Sequence, residues 1–195
     1  MSGDVHVRFR EHLGGRFPGV TRLVICCKGQ VEQASAAMRK MMEKLKLTVN
    51  EDKTHLCHLP QERFDFLGYT FECCYSRRTG RPYLGTRPSR KSIKRIVDSI
   101  TEETSRSRTC LDAETVVGRL NRKLIGWANY FSLGPVSLAY KAIDTHATQR
   151  LRQWLCKKHK VRGKGVTRYP NQYLREHLGL VNLPARTRDL PWAKA

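Results

Sequence analysis

Acidic residues are scarce in this 195-residue chain: 17 Asp and Glu stand against 37 Lys and Arg, a formal net charge of +20. So large a single-sign charge opposes compaction by self-repulsion unless a polyanion neutralises it. The two common polyanions are nucleic acid and the anionic membrane surface. Long apolar runs are also lacking. No stretch approaches the ~20 residues a membrane-spanning helix needs, and no signal-peptide core is present. Nucleic acid is therefore the expected partner, with no membrane, and the pI near 10.1 fits that footprint.

The signatures of catalysis are absent as well. There is no Gly-x-Ser-x-Gly, no phosphate-binding Gly-x-x-x-x-Gly-Lys-Ser/Thr, and no His-x-x-x-His on a predicted helix. The seven cysteines, Cys26, Cys27, Cys57, Cys73, Cys74, Cys110 and Cys156, are odd in number and contain no Cys-x-x-Cys. That excludes a secreted disulfide framework and points to a reducing cytoplasm. His55, Cys57 and His58 precede Cys73 and Cys74 closely enough to raise a zinc site, but adjacent pairs supply the tetrahedral spacing poorly. Inert core cysteines are the expectation, with no metal and no cofactor.

What is present divides near the middle. Residues 1–80 carry 13 Lys/Arg and 9 Asp/Glu, whereas residues 81–195 carry 24 and 8, so the partner is expected on the C-terminal part. Residues 1–20 have weak periodicity and suggest a short helix around Val5–Leu13. Leu23–Cys27 is a five-residue apolar run that reads as a buried strand closed by Lys28-Gly29. Gln30 to Leu47 follows as an amphipathic helix, with Ala34, Ala37, Met38, Met41, Met42 and Leu45 on one face and Lys40 and Lys44 on the other.

Asn50–Lys53 is a polar turn, and Thr54–Leu59 and Phe64–Phe71 are further strands. Gly68 marks a bulge or a close backbone approach. Arg78–Arg81 turns the chain into Pro82–Gly85, the returning strand of a hairpin.

From Pro88 the pattern becomes helical. Ser89 caps a helix with Ile93, Ile96, Val97 and Ile100 inside, ending near Thr104. Asp112 caps a second, buried through Val116, Val117, Leu120, Leu124, Trp127 and Phe131, and ended by Gly134-Pro135. Ser137 begins a third, with Leu138, Ala142, Ile143, Ala147, Leu151, Trp154 and Leu155 inside. Helical spacing makes Trp127, Tyr130, Phe131 and Trp154 core residues before base-stacking ones. Three such helices with short links suggest a small bundle. Asn171–Leu178 is a short final helix, and Pro191–Ala195 has no helical signal.

Lys and Arg neutralise phosphates and release counterions, so the basic positions of the helical half are the candidate RNA contacts. They are Arg87, Arg90, Lys91, Lys94 and Arg95; Arg119, Arg122 and Lys123; Arg150 and Arg152; and Lys157, Lys158, Lys160, Arg162, Lys164 and Arg168. The segment Lys157–Tyr169 has no acidic residue, and its two glycines make it pliable.

Several motifs in this order resemble a group II intron reverse transcriptase/maturase. The strand Leu23–Cys27, the helix after it, Asn50-x-x-Lys53-Thr54 and Phe66-Leu67-Gly68-Tyr69 are similar to the back half of that family's palm. Gly118–Phe131, with Arg150–Leu155 and Leu190–Ala195, resembles its maturase-specific domain. The resemblance implies an α+β chain: a truncated palm of strands plus one helix at 23–87, then an α-helical thumb/maturase bundle at 88–195, behind a divergent segment at 1–22. It also implies structured RNA, group II intron RNA, as partner, and assistance to intron folding and splicing.

The family's Tyr-Ala-Asp-Asp is missing, because Thr21 and Arg22 stand where its metal-holding aspartates belong. Magnesium and RNA-directed DNA polymerase activity belong to an intact family member, and this chain is expected to be inactive alone, with no catalytic residues. The alternatives are the C-terminal part of a split polymerase completed in trans by a separate N-terminal half, and a non-functional truncated relic. The absence of a Cys-paired endonuclease region argues against DNA cleavage.

Overall fold

A computed structural model describes residues 4–10, 22–49, 54–59, 61–76 and 78–190. The fold is α+β, with one helix among the strands and the remaining helices after them. It separates into two compact units, one of residues 1–64 and 71–84, the other of residues 65–70 and 85–195.

The first unit holds β1 (Asp4–Arg10), β2 (Arg22–Lys28), α1 (Val31–Lys44) and β3 (His55–His58). Residues 4–10 form a strand, not the helix expected around Val5–Leu13; residues 11–13 lie outside the described residues. β1 is the middle of an antiparallel sheet ordered β2-β1-β3, with Val7 opposite both Ile25 and Leu56. Its own sequence suits this place, since Val5, Val7 and Phe9 alternate with His6, Arg8 and Arg10, the period of two of a strand.

The strand expected to be buried is only partly so. Val24, Ile25 and Cys27 are half-buried and Cys26 is exposed. The cluster beneath is small: Met38 and Met42 are buried, with Ile25, Val31, Leu47 and Val49 against them. Met41, Leu45 and Ala37, expected inside, are exposed, because only one narrow stripe of α1 meets the sheet. α1 ends with Lys46 at positive φ and Leu47 donating to the Met42 carbonyl, a Schellman closure.

A second sheet runs β4 (Phe64–Phe66), β5 (Tyr69–Tyr75) and β6 (Pro82–Pro88), in that order. The run 64–71 is thus two strands and a turn rather than one strand. Leu67 (φ 48°) and Gly68 (φ 82°) form a two-residue loop with both φ angles positive, the primed turn that suits a hairpin. Gly68 is a turn, not a bulge, and the close approach is real: a Cβ there would lie 2.8 Å from Ser92 Oγ and 3.1 Å from the Phe131 ring.

The second unit is built on α2 (Arg90–Glu103), α3 (Ala113–Tyr130) and α4 (Ser137–Lys158). The predicted caps form. Ser89 Oγ accepts from Ser92 N at 3.2 Å, and Asp112 Oδ2 accepts from Thr115 N at 2.7 Å, each stabilising its helix by about 1 kcal/mol. Ile96 and Ile100, Val116, Val117, Leu120 and Leu124, and Ile143, Ala147, Leu151, Trp154 and Leu155 fill one core.

Carbonyls at the helix ends find partners inside the unit. Tyr140 Oη donates to the Ala128 and Phe131 carbonyls, closing α3 at Tyr130, earlier than Gly134-Pro135. Tyr69 Oη donates to the Tyr130 carbonyl at 2.6 Å, and Tyr130 Oη donates to the Leu67 carbonyl at 2.9 Å.

Leu138 and Ala142, expected inside, are exposed, while Asp144, Thr148 and Arg152 are buried. Spaced four residues apart, these three make a polar stripe along α4. The chain after α4 docks there. Asp144 accepts from Arg175 Nη2 at 2.6 Å and from Leu183 N at 3.1 Å. Arg152 Nε donates to the Tyr169 carbonyl at 2.9 Å, and its Nη2 to Asn171 Oδ1. The stripe's two charged members, Asp144 and Arg152, are buried because Arg175, Asn171 and two backbone groups satisfy them.

Candidate nucleic-acid interface

The basic segment begins in the last turn of α4. Its C-cap is His159, Lys160 takes φ 53°, and Val161 N donates to the Cys156 carbonyl at 2.9 Å. This is a Schellman motif with lysine at the left-handed position that glycine usually holds. Val161 then packs against the core.

Gly163 (φ 82°) and Gly165 (φ 68°) turn the chain back. A Cβ on Gly165 would lie 2.1 Å from Cys156 Sγ, so the loop sits directly on the helix. Tyr169 N donates to the Gly165 carbonyl at 2.8 Å, and Arg152 holds the Tyr169 carbonyl. The glycines expected to make the segment pliable instead permit a tethered double turn.

Two clefts flank Val161. One, of about 380 Å³, is lined by Gln153, Cys156, Lys157, Lys160, Val161, Gly163 and Lys164. Three ammonium groups share it, and none of its described lining residues is acidic. The other, of about 800 Å³, is lined by His159, Val161, Arg168, Tyr169 and Tyr173. Phosphate suits the first, since lysine is a compact cation with three donors.

The remaining predicted positions separate into two groups. Arg90, Lys91, Lys94 and Arg95 are exposed on α2, as are Arg122 on α3, Arg162 in the loop, and Arg87 on β6. Arg150, Lys158, Arg152, Arg119 and Lys123 have partners within the fold. Arg150 Nη2 donates to the Thr101 and Thr104 carbonyls and Nε to Thr104 Oγ1, capping α2. Lys158 Nζ donates to the Thr109 and Leu111 carbonyls and lies 5.5 Å from the Trp154 ring centre. Arg152 holds Tyr169 and Asn171 as described.

Arg119 and Lys123 converge on a residue that sequence reasoning did not single out. Glu103 is buried, with Lys123 Nζ at 2.8 Å, Arg119 Nη1 at 4.0 Å and Arg108 also paired to it. Burial alone would raise the Glu103 pKa, yet the Lys123 hydrogen bond and charge, with Arg108 and Arg119, hold it below the ordinary value.

Of the aromatic residues, Trp154 and Phe131 are core, Trp127 is half-buried and Tyr130 is 55 % exposed. A second row of rings also went unnoticed in the sequence. His159 and Tyr169 lie 6.3 Å apart, Tyr169 and Tyr173 5.8 Å, and Tyr173 and His177 5.2 Å. The four-residue spacing of Tyr173 and His177 was the available signal. Among the described residues no group of three or more His, Cys, Asp or Glu could hold a metal ion, and no helix is long and apolar enough to cross a membrane.

Residues 93–170 match a family model described as the group II intron, maturase-specific domain. The match runs from the first turn of α2 through the basic segment, and so takes in the lysine cleft. A search of curated proteins gives no match.

Proposed function

Since residues 93–170 are related to the maturase-specific domain of group II introns, we propose that this chain binds folded intron RNA and assists its splicing. The observation that carries the reading is the cleft of Lys157, Lys160 and Lys164, seated inside the matched segment. Folded RNA presents backbone and loops rather than a readable major groove, so lysines gathered on one tethered turn bind it by shape and phosphate contact. The RNA carries out the splicing chemistry; the protein supplies charge neutralisation where strands crowd together.

The same reading assigns residues 23–87 to a palm remnant and 88–195 to the thumb. It gives the chain no polymerase chemistry of its own, because Thr21 and Arg22 occupy the places of the metal-holding carboxylates. The exposed row Arg90, Lys91, Lys94 and Arg95 adds a second phosphate-contacting face.

The test is binding of the chain to a folded group II intron RNA over a salt series, with an unrelated structured RNA as competitor. The reading expects binding that survives competition. It also expects Lys157→Ala, Lys160→Ala and Lys164→Ala together to weaken it, reducing the salt slope by roughly two to three units at nearly one per phosphate contact. Equal, weak binding to both RNAs that vanishes at moderate salt rejects it, leaving bulk charge alone.

A further inference from the structure

The groove on the other side of Val161 differs from the lysine cleft in chemistry. Its volume, about 800 Å³, lies in the range of ~300–1,000 Å³ usual for clefts that accept small organic groups. His159 and Tyr173 line it with Tyr169 at its base, and Arg168 supplies the only formal charge among its described lining residues. The His159–Tyr169–Tyr173 row ends on His177, whose ring lies 5.2 Å from Tyr173 and tilted 31° to it.

The backbone there is unusual. Tyr173–His177 is a π-turn, with Leu178 N donating to the Tyr173 carbonyl at 3.2 Å. Such π-helical pieces are rare. Here the turn is held against α4 by Arg175, whose guanidinium reaches Asp144 and the Val181 carbonyl. Tyr173 and His177 both lie beyond the segment that matches the maturase-specific domain.

We propose that this groove takes an unpaired nucleotide of the bound RNA, its base against the His159 and Tyr173 rings that line it, with His177 packed behind Tyr173, and its backbone passing to Lys157, Lys160 and Lys164 beside Val161. Aromatic rings beside a basic track are the general device for single-stranded nucleic acid, since every base has a face to stack and every linkage a phosphate to neutralise. A duplex cannot use it, because its bases are already stacked on one another. The partner named is thus a single-stranded loop, bulge or end of the RNA. This rests on the RNA-binding reading above and narrows it.

The experiment uses the full chain and two RNA probes with the same number of phosphates. One is an unstructured strand carrying 2-aminopurine at its centre, the other a perfect duplex hairpin. Binding of the strand should quench the 2-aminopurine fluorescence, and the strand should bind more tightly than the hairpin. His159→Ala should weaken the strand about tenfold, the size of one lost base–ring stack, and His177→Ala, which removes the ring behind Tyr173, should weaken it less, both positions being exposed and the salt slope unchanged. Tyr173→Phe keeps the ring and should leave binding and quenching as they were.

If both histidine variants bind the strand as the native chain does, without quenching, while the three lysine changes weaken both probes, the groove inference is overturned and RNA binding stands. If neither probe binds beyond what moderate salt removes, the RNA-binding reading fails and this inference with it.

Discussion

Arg152 donates from Nε to the carbonyl oxygen of Tyr169, 17 residues later, at 2.9 Å, although only 9 % of its surface is exposed. A guanidinium drawn from a predicted RNA-contacting run thus holds the end of the basic segment in place. Arg152→Met keeps the length of the side chain and leaves the Tyr169 carbonyl and Asn171 without their donor. It should cost about 1–3 kcal/mol of stability, the penalty of unsatisfied buried groups, read as a lower urea midpoint. RNA affinity should fall with it, because Tyr169 and the turn at Gly165 lose their anchor.

Lys160 sits at φ 53°, a conformation that disfavours every residue with a Cβ. Lys160→Gly should raise stability by about 1 kcal/mol, whereas Lys160→Ala keeps the strain and should not. Both remove one cation from the lysine cleft, so both should lower the salt slope of RNA binding by about one. Urea denaturation and a salt titration on the two variants separate backbone strain from charge.

Glu103 makes stability depend on pH. Its folded pKa lies below the ordinary value of 4.5, so its contribution is complete above about that pH and is lost as pH falls through the folded pKa. Glu103→Gln removes that dependence. At neutral pH the variant should be less stable by about 1–2 kcal/mol, modest because Arg108, Arg119 and Lys123 remain partly exposed to water. The gap between native and variant urea midpoints should close as the pH is lowered below 4.5; a gap constant with pH would show that the carboxylate is not what holds the three cations.

Gly68 accepts from Ser89 N at 2.8 Å and from Ser92 Oγ at 3.0 Å while its Cα faces the Phe131 ring. Gly68→Ala combines a φ of +82° with a Cβ pressed on Ser92 and Phe131, and should destabilise the second unit by about 1–3 kcal/mol. Thermal unfolding followed by helix signal checks it.

The helical half was legible because it follows local rules. Ser89 and Asp112 were read as caps from their chemistry, and the three- and four-residue spacing of Ile96, Ile100, Val116, Val117, Leu120 and Leu124 placed the core. The strand half was less so. A run such as Phe64–Phe71 has the same alternation whether it is one strand or two joined by a turn, whereas β1 did carry the signal, Val5, Val7 and Phe9 alternating with His6, Arg8 and Arg10 inside a longer stretch without period. For the candidate site, the segment 157–168 was marked by composition, but composition cannot tell Lys157 from Arg152. One lines an open cleft and the other is buried, five residues apart on consecutive parts of one helix.

By itself the sequence determined the charge, its concentration in the second half, and the starts of α2, α3 and α4, since each depends only on residues near one another in the chain. Only the tertiary structure decided which cations remain available. Arg150, Arg152, Lys123 and Lys158 are committed to carbonyls and carboxylates that lie 17 to 49 residues away. The same long-range packing gathers His159, Tyr169, Tyr173 and His177 into one row. A buried carbonyl must find a donor wherever the chain brings one, and that pairing is set by how α2, α4 and the C-terminal turns fit together, not by any local pattern.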